Sequence, residues 1–168
     1  NAYRIGGKRS TKILASRGCP CRCSFCSVHI GMGTRFRPRS AEKILEEMAH
    51  CKEELGIEAF DFEDDHLGYD PDAFDRLLDL ILGNFGERNL RLYAMNGIFP
   101  AVLRKPILEK MKRAGFESVN LTLASQDERV RAALGRVDRL DDFLNAMTLA
   151  QDCGLKVTAY IFLGVPGQ

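Results

Sequence analysis

Residues 12–26 read KILASRGCPCRCSFC, an apolar run followed almost at once by four cysteines within eight residues. Cysteines in a protein core normally occur singly on the face of an element, so packing does not explain a loop this dense in thiols. Thiolates are the ligands that soft metals prefer. The stretch therefore predicts a strand that ends in a metal-binding loop, around which we expect the chain to be arranged.

The spacing of the cysteines narrows the kind of metal site. Structural zinc usually takes two cysteine pairs a dozen or more residues apart, but the remaining cysteines, Cys51 and Cys153, stand alone in the sequence. The subset Cys19, Cys23 and Cys26 instead suits an iron–sulfur cluster in which three irons each take one thiolate and one iron stays open. A zinc loop remains the alternative.

Composition limits the class of protein. A chain of 168 residues suffices for one hydrophobic core, and its 45% apolar and 28% charged residues are typical of a globular protein. A formal charge of +1 argues against a nucleic-acid or membrane-surface partner. We find neither a transmembrane-length apolar run nor a secretory signal, and the cysteine usage fits a reducing compartment. The prediction is a cytoplasmic protein.

The rest of the sequence alternates between strand and helix patterns. Five strands are predicted, at 12–16, 57–63, 90–95, 117–123 and 156–163. Helix starts are predicted at Ser40, at Asp70-Pro71, at Pro106, in the capping box Ser125–Glu128 and near Leu140, and helix ends at Gly56, Gly83, Gly115 and Gly154. This alternation is typical of an α/β fold with a parallel sheet and outer helices. Residues 1–11 are predicted to be an exposed lead-in to a single domain over 12–168.

Ligands of parallel sheets bind at the carboxyl ends of the strands. The sequence places polar or glycine-containing segments at all five of these ends. They are the cysteine loop, Asp64-Asp65, Asn96-Gly97, Ala124-Ser125 and Gly164-Val165-Pro166. We therefore expect these segments to meet around one site.

The pattern Ser16-Arg-Gly-Cys19-Pro, with Cys23, Phe25 and Cys26, resembles the cluster loop of the radical S-adenosylmethionine (radical SAM) enzymes. The resemblance implies a partial (β/α) barrel in which Cys19, Cys23 and Cys26 hold a [4Fe-4S] cluster. The open iron would chelate S-adenosylmethionine (SAM). Reductive cleavage of SAM would then give a 5'-deoxyadenosyl radical that abstracts hydrogen from an organic substrate. An external one-electron reductant is implied as well.

The resemblance also implies roles for residues outside the loop. Phe25 would neighbour the adenine, or simply pack over the cluster. Asp64 or Asp65 would accept a hydrogen bond from the amino group of SAM, or would belong to a solvated capping loop. Ser125 and Arg136 would contact the ribose or the carboxylate, with a helix cap as the alternative for Ser125. Gly164, Val165 and Pro166 would form the turn under the adenine, or a tight turn only.

Some residues depart from the family pattern or have no assigned role. Thr122 and Ala124 replace the usual Gly and Glu of the fourth-strand motif, which puts one polar contact to SAM in question. Cys21 could be an alternative ligand or an oxidation-sensitive thiol, and His66 is left unassigned. Cys51 and Cys153 are predicted to be core residues. Five arginines flank the loop and either screen its charge, attract an anionic substrate, or pair locally: Arg17, Arg22, Arg35, Arg37 and Arg39.

The family barrel has six strands, so the resemblance implies that this chain is incomplete after its fifth strand. An unpaired edge strand would then favour association. The resemblance is greatest to the subgroup that often carries a cobalamin-binding domain, and it implies cobalamin and a methyltransferase or cyclisation role for a longer parent protein. The substrate would be a small molecule or biosynthetic intermediate. Two alternatives are a non-catalytic zinc or iron–sulfur module and an inactive remnant.

Overall fold

The computed structural model describes residues 3–165. Its strands are β1 (Arg4–Ile5), β2 (Lys8–Ile13), β3 (Ser16–Arg17), β4 (Arg37–Pro38), β5 (Ala59–Phe62), β6 (Arg91–Tyr93), β7 (Ser118–Leu123) and β8 (Lys156–Ile161). Its helices are α1 (Val28–Gly31), α2 (Ala41–Leu55), α3 (Pro71–Phe85), α4 (Lys105–Ala114), α5 (Glu128–Ala133) and α6 (Leu140–Asp152), with a 3₁₀ turn at Pro100–Val102.

The five predicted strands are confirmed, and they form a parallel, curled arrangement. Strand β5 pairs in parallel with β2 on one side and β6 on the other. Strand β7 pairs in parallel with β8. A parallel bridge between Leu92 and Phe116 links the β6 and β7 regions. With helices α2, α3, α4 and α6 between these strands, the architecture is the expected partial (β/α) barrel.

The core lies between the outer face of the strands and the helices. In β5, Phe60 and Phe62 are buried in this core, while Asp61 alternates with them and faces the inner side of the sheet. The apolar stripes of α2 and α3 cover the strands, with Met48 and Leu78 both fully buried. Alternation along the strands therefore separates an apolar helix-facing side from a more polar inner side.

Most helix ends follow the predicted capping chemistry. The Ser40 side chain accepts a hydrogen bond from the Lys43 amide at 3.3 Å, and Asp70 accepts one from the Ala73 amide at 3.0 Å. Among the described residues, no helix is long and apolar enough to span a bilayer.

Three local predictions differ from the structure. Gly83 lies inside α3, which continues to Phe85 because Phe85 extends the apolar stripe and packs against the core. The cap of α5 is Asp127, since its side chain accepts from the Arg129 amide, while Ser125 accepts from the Asp127 amide two residues later. Strand β2 begins at Lys8, before the predicted start, and pairs with β1. The division into a lead-in and a single domain over 12–168 remains a prediction.

Strand β8 differs from the other parallel strands in its exposure. Five of its six residues are exposed, and Tyr160 and Ile161 retain 44% and 56% of their accessible surface. Within residues 3–165, β8 pairs with β7 alone. Association through this edge, and the incompleteness of the chain after it, remain predictions.

Candidate metal centre

The cysteine loop is closed at its base by short antiparallel pairing. Strand β3 pairs with β4, and the Cys19 amide donates to the Gly33 carbonyl at 3.3 Å. Gly18 makes this closure possible, because it has φ +83° and a Cβ there would lie 2.4 Å from the Arg35 carbonyl oxygen. The cysteine loop therefore leaves the sheet after β2 and is closed at its base by the pairing of β3 with β4. This closure holds the cysteines in place.

The far side of the loop docks on the segment that follows α5. The Ser24 amide donates to the Leu134 carbonyl at 3.0 Å, and the Cys23 Sγ lies 3.8 Å from the Gly135 carbonyl oxygen. Gly135 has φ +70°, and a Cβ there would lie 2.6 Å from the Arg22 carbonyl oxygen. Sequence reasoning missed Gly135, because a glycine after a helix signals only an ordinary helix end.

The thiols of the loop line one cavity at the carboxyl ends of the strands. This cavity contains the predicted ligands Cys19, Cys23 and Cys26, and also Cys21. Its remaining lining residues are Phe25, Val28, Asp65, His66, Phe99, Arg136, Val137 and Asp138. Of the strand-end segments expected to meet at one site, the cysteine loop and Asp65 line this cavity.

Burial controls the protonation of the thiols. Burial raises the pKa of the Cys23 thiol, although the nearby Arg136 guanidinium opposes the shift. Burial, followed by the charge and hydrogen bond of Cys19, raises the pKa of the Cys21 thiol to about 12. Without a metal these two thiols are therefore protonated at neutral pH, and metal binding must release their protons.

The thiols of the cavity fall into two overlapping sets of possible metal ligands. Among the described residues, one trio could hold a single ion, and it consists of Cys19, Cys21 and His66, whose ligand atoms lie within 4.8 Å of one another. Cys23 and Cys26 share the cavity but fall outside this trio. Several thiols on one cavity wall are the donor type that a [4Fe-4S] cluster takes, and Cys19, Cys23 and Cys26 remain the predicted set.

Arg136 joins this cavity to a second one. Its Nε donates to the Asp138 Oδ1 at 2.5 Å, and its Nη2 lies 3.5 Å from the Thr122 carbonyl oxygen. Burial lowers the pKa of Arg136, but the hydrogen bond and charge of Asp138 outweigh that effect and raise it. The second cavity is lined by Asp65, His66, Asn96, Gly97, Ile98, Phe99, Pro100, Thr122 and Arg136.

The two aspartates after β5 have different surroundings. Asp64 is 1% exposed, and its carboxylate accepts from the Ala15 amide at 3.0 Å and from the Ser16 hydroxyl at 2.5 Å. Burial raises the pKa of Asp64 despite these donors. Asp65 instead lines both cavities. Asp64 therefore fastens the end of β2, and Asp65 is the carboxylate that a ligand can reach.

The other predicted site residues are placed as follows. Phe25 is 47% exposed and contacts Phe162 edge to face, with ring centroids 4.8 Å apart. Ser125 is 2% exposed and lines neither cavity. Gly164 has φ +73°, as a tight turn requires. Val165 is the last described residue, and Pro166 lies outside the described residues.

Two of the flanking arginines have local structural partners. Arg37 donates to the carbonyls of Met32 and Arg35 within the loop. Arg39 donates to the Leu14 carbonyl and to Glu47. These two residues therefore follow the local-pairing alternative.

Comparison with known proteins gives one family for nearly the whole chain. The family model described as the radical SAM superfamily matches residues 13–168. Cytidylyl-2-hydroxyethylphosphonate methyltransferase of Streptomyces wedmorensis is 25% identical over 161 residues, covering 95% of this chain and 29% of that protein. Bacteriochlorophyllide d C-12(1)-methyltransferase of Chlorobaculum tepidum is 28% identical over 156 residues, covering 90% and 33%.

Solved structures agree on the fold. The radical S-adenosylmethionine methyltransferase TsrM of Kitasatospora setae, with cobalamin and a [4Fe-4S] cluster bound, superposes with a TM-score of 0.84 at 20% identity. That match covers 96% of this chain and 32% of the TsrM chain. The chain spans about a third of the length of the curated relatives it matches.

Proposed function

This chain belongs to the radical SAM superfamily, and on that premise we propose that Cys19, Cys23 and Cys26 hold a [4Fe-4S] cluster that works with SAM. The observation that supports this proposal is the convergence of the three thiols on one cavity at the carboxyl ends of the parallel strands. When bound, the cluster supplies one electron that breaks a carbon–sulfur bond of SAM, giving methionine and a 5'-deoxyadenosyl radical that takes hydrogen from an organic substrate.

Arg136 balances the charge of the thiolates. Its guanidinium interacts with Cys23 by charge and by a hydrogen bond. The Asp138 carboxylate fixes the guanidinium, and Asp138 is 5% exposed. A positive charge held beside three thiolates lowers the cost of placing their negative charge in a partly buried cavity. We therefore assign Arg136 to the cavity wall, where it would also face SAM.

Asp65 is the carboxylate that we assign to the amino group of SAM. This assignment is supported by the position of Asp65 in the lining of both cavities, where a carboxylate would accept a charge-assisted hydrogen bond. Asp64 shares the prediction, but its two donors at the end of β2 already occupy its carboxylate. A role of Asp64 in binding would therefore be indirect, through the position of Ser16 and the loop that follows.

The adenine and ribose contacts remain proposals drawn from the family resemblance. Phe25 stands next to Phe162, so the cysteine loop and the end of β8 meet on one side of the mouth. That contact supports an adenine site between Phe25 and the turn of Gly164, Val165 and Pro166. Ser125 is buried away from both cavities, and its effect on the ribose would be through the segment before α5.

We further propose that a longer parent protein transfers methyl groups to a small molecule, with cobalamin and an external reductant. The observation that favours this second function is that three of the curated relatives are named methyltransferases. TsrM, which has the same fold, holds cobalamin. The cytoplasm remains the proposed location, because free cysteines in the described part of the chain fit a reducing compartment.

Anaerobic iron–sulfur reconstitution tests the first proposal. We expect roughly four irons per chain for a [4Fe-4S] cluster, and an EPR signal of the dithionite-reduced protein that changes when SAM is added. The separate substitutions Cys19→Ser, Cys23→Ser and Cys26→Ser should each abolish this signal. Formation of 5'-deoxyadenosine after reduction would then establish cleavage.

Matched controls come from the isolated cysteines. Cys51→Ser and Cys153→Ser should keep the iron content, because both residues pack against the core away from the cavity. A cluster whose EPR signal ignores SAM would contradict the proposed cleavage. Stoichiometric zinc in place of iron after reconstitution would contradict the cluster itself.

A further inference from the structure

We propose that Cys19, Cys21 and His66 form a binding site for a single zinc ion that excludes the iron–sulfur cluster. The site uses Cys21 and His66, neither of which the proposed function employs. It rests on that function in one respect only, namely that Cys19 is also a cluster ligand. Zinc would occupy the loop before the cluster is loaded and would have to leave when the cluster is assembled.

The donor set suits zinc. One nitrogen of His66 and the sulfurs of Cys19 and Cys21 lie within 4.8 Å of one another. Thiolate and imidazole are the common protein ligands of zinc, and three of them leave a fourth tetrahedral position for water. A small contraction of three side chains at the mouth of a cavity is all that coordination requires.

His66 supplies an independent observation. Its Nδ1 is buried and has no hydrogen-bond partner among residues 3–165. A buried polar atom without a partner destabilises the folded chain. The ring is held between Tyr69 and Phe99, with centroids 5.0 and 4.9 Å away. Metal binding through Nδ1 would give this unsatisfied atom a partner.

The charges also balance. Zinc binding to Cys19 and Cys21 releases two thiol protons to solvent, and His66 binds as neutral imidazole, so the filled site carries no net charge. A neutral site is compatible with the adjacent Arg136, whose charge is paired with Asp138 at 2.5 Å. Cys23 does not join the trio, because its sulfur points to the Gly135 carbonyl.

Sharing of Cys19 makes the two metal sites exclusive. When Cys19 binds zinc together with Cys21 and His66, its thiolate cannot bind an iron of the cluster. Bound zinc should therefore slow cluster assembly in the wild-type chain. Removing Cys21 or His66 should relieve that inhibition and leave the three cluster ligands intact.

Cobalt titration of the metal-free, reduced chain under anaerobic conditions tests the site. Co²⁺ is the probe, because its thiolate charge-transfer absorption reports sulfur ligands, and zinc should displace it. Cys21→Ser and His66→Ala should each weaken Co²⁺ binding at least about tenfold. Cys26→Ser is the matched control, since it alters the same loop outside the trio and should keep wild-type affinity. If Cys26→Ser weakens cobalt binding as much as Cys21→Ser, the proposal is wrong.

Iron loading separates this proposal from the proposed function. Cys21→Ser and His66→Ala should take up wild-type iron even after preincubation with zinc, whereas the wild-type chain should load more slowly after that treatment. Cys26→Ser should bind cobalt and fail to form the cluster. Normal iron loading by Cys26→Ser would refute the cluster ligands and leave the zinc site standing. Equal zinc inhibition of wild type and Cys21→Ser would refute the zinc site and leave the cluster standing.

Discussion

Strands β5 and β8 both pair in parallel with their neighbours but have opposite surroundings. All four residues of β5 are buried, whereas five of the six residues of β8 are exposed. Strand β5 lies between β2 and β6, and β8 pairs with β7 alone among the described strands. Burial of a strand therefore depends on its neighbours as much as on its own alternation.

The largest test of this comparison is Phe62→Ala in β5. Phe62 is 1% exposed and stacks on Phe116, with ring centroids 6.1 Å apart. Its truncation leaves a cavity, so we expect the free energy of unfolding to fall by about 3–5 kcal/mol. Urea unfolding followed by circular dichroism measures it. A loss below about 1 kcal/mol would mean that β5 is not the packed centre of the sheet.

Gly135→Ala tests the contact that joins the cysteine loop to the second half of the sheet. The alanine Cβ would lie 2.6 Å from the Arg22 carbonyl oxygen, at φ +70°. We expect a loss of about 1–3 kcal/mol and reduced iron loading. Gly7→Ala is a matched control, because Gly7 has φ +80° with no atom within 4 Å of an added Cβ. If both variants lose equal iron, backbone strain and not loop docking explains the effect.

Asp61→Asn tests the buried inner face of β5, with a smaller effect that depends on pH. Asp61 is fully buried, and its Oδ1 accepts from the Met95 amide at 3.1 Å. Burial, together with the nearby Glu63 carboxylate, raises the pKa of Asp61. A raised pKa stabilises the fold below the unfolded value of about 3.9, and this contribution is lost as pH rises through the folded pKa.

The measurement for Asp61 is the free energy of unfolding between pH 4 and pH 8, in wild type and variant. We expect the wild-type value to fall relative to Asp61→Asn as pH rises. Parallel curves would contradict the raised pKa.

The smallest expected effect is that of Ile161→Ala in β8. Ile161 is 56% exposed, so its truncation leaves little cavity, and the change should stay within about 0.5 kcal/mol. Urea unfolding again measures it. A loss similar to that of Phe62→Ala would show that β8 is covered in solution, for example by a second copy of the chain. Analytical ultracentrifugation of the wild type would then identify such a copy.

Local sequence signals predicted most of the fold. Alternation located the five parallel strands, and Ser40 and Asp70 marked helix starts because their side chains satisfy backbone amides within the same turn. The predicted end of α3 at Gly83 was wrong. A glycine can lie inside a helix when a later residue, here Phe85, extends the apolar stripe of that helix. The pairing of β3 with β4 was missed because two-residue strands carry no periodic pattern.

The candidate site was only partly predictable. The cysteine spacing identified the loop, because its four thiols lie close together in the sequence. His66 and Asp138 reach the cavity only through the tertiary fold, and so does the contact of Gly135 with the cysteine loop. The sequence treated Asp64 and Asp65 as one pair, but alternation along the chain sends the first to the end of β2 and the second to the cavity.

Arg136 lines both cavities and carries one set of hydrogen-bond donors for both. A ligand in one cavity that accepts from the guanidinium leaves fewer of its donors for a ligand in the other. The two cavities are then thermodynamically linked, and such linkage is reciprocal: each ligand changes the affinity for the other by the same factor. A ligand in the thiol-lined cavity would therefore change the affinity of the second cavity, beside Asn96 and Gly97, for its own ligand.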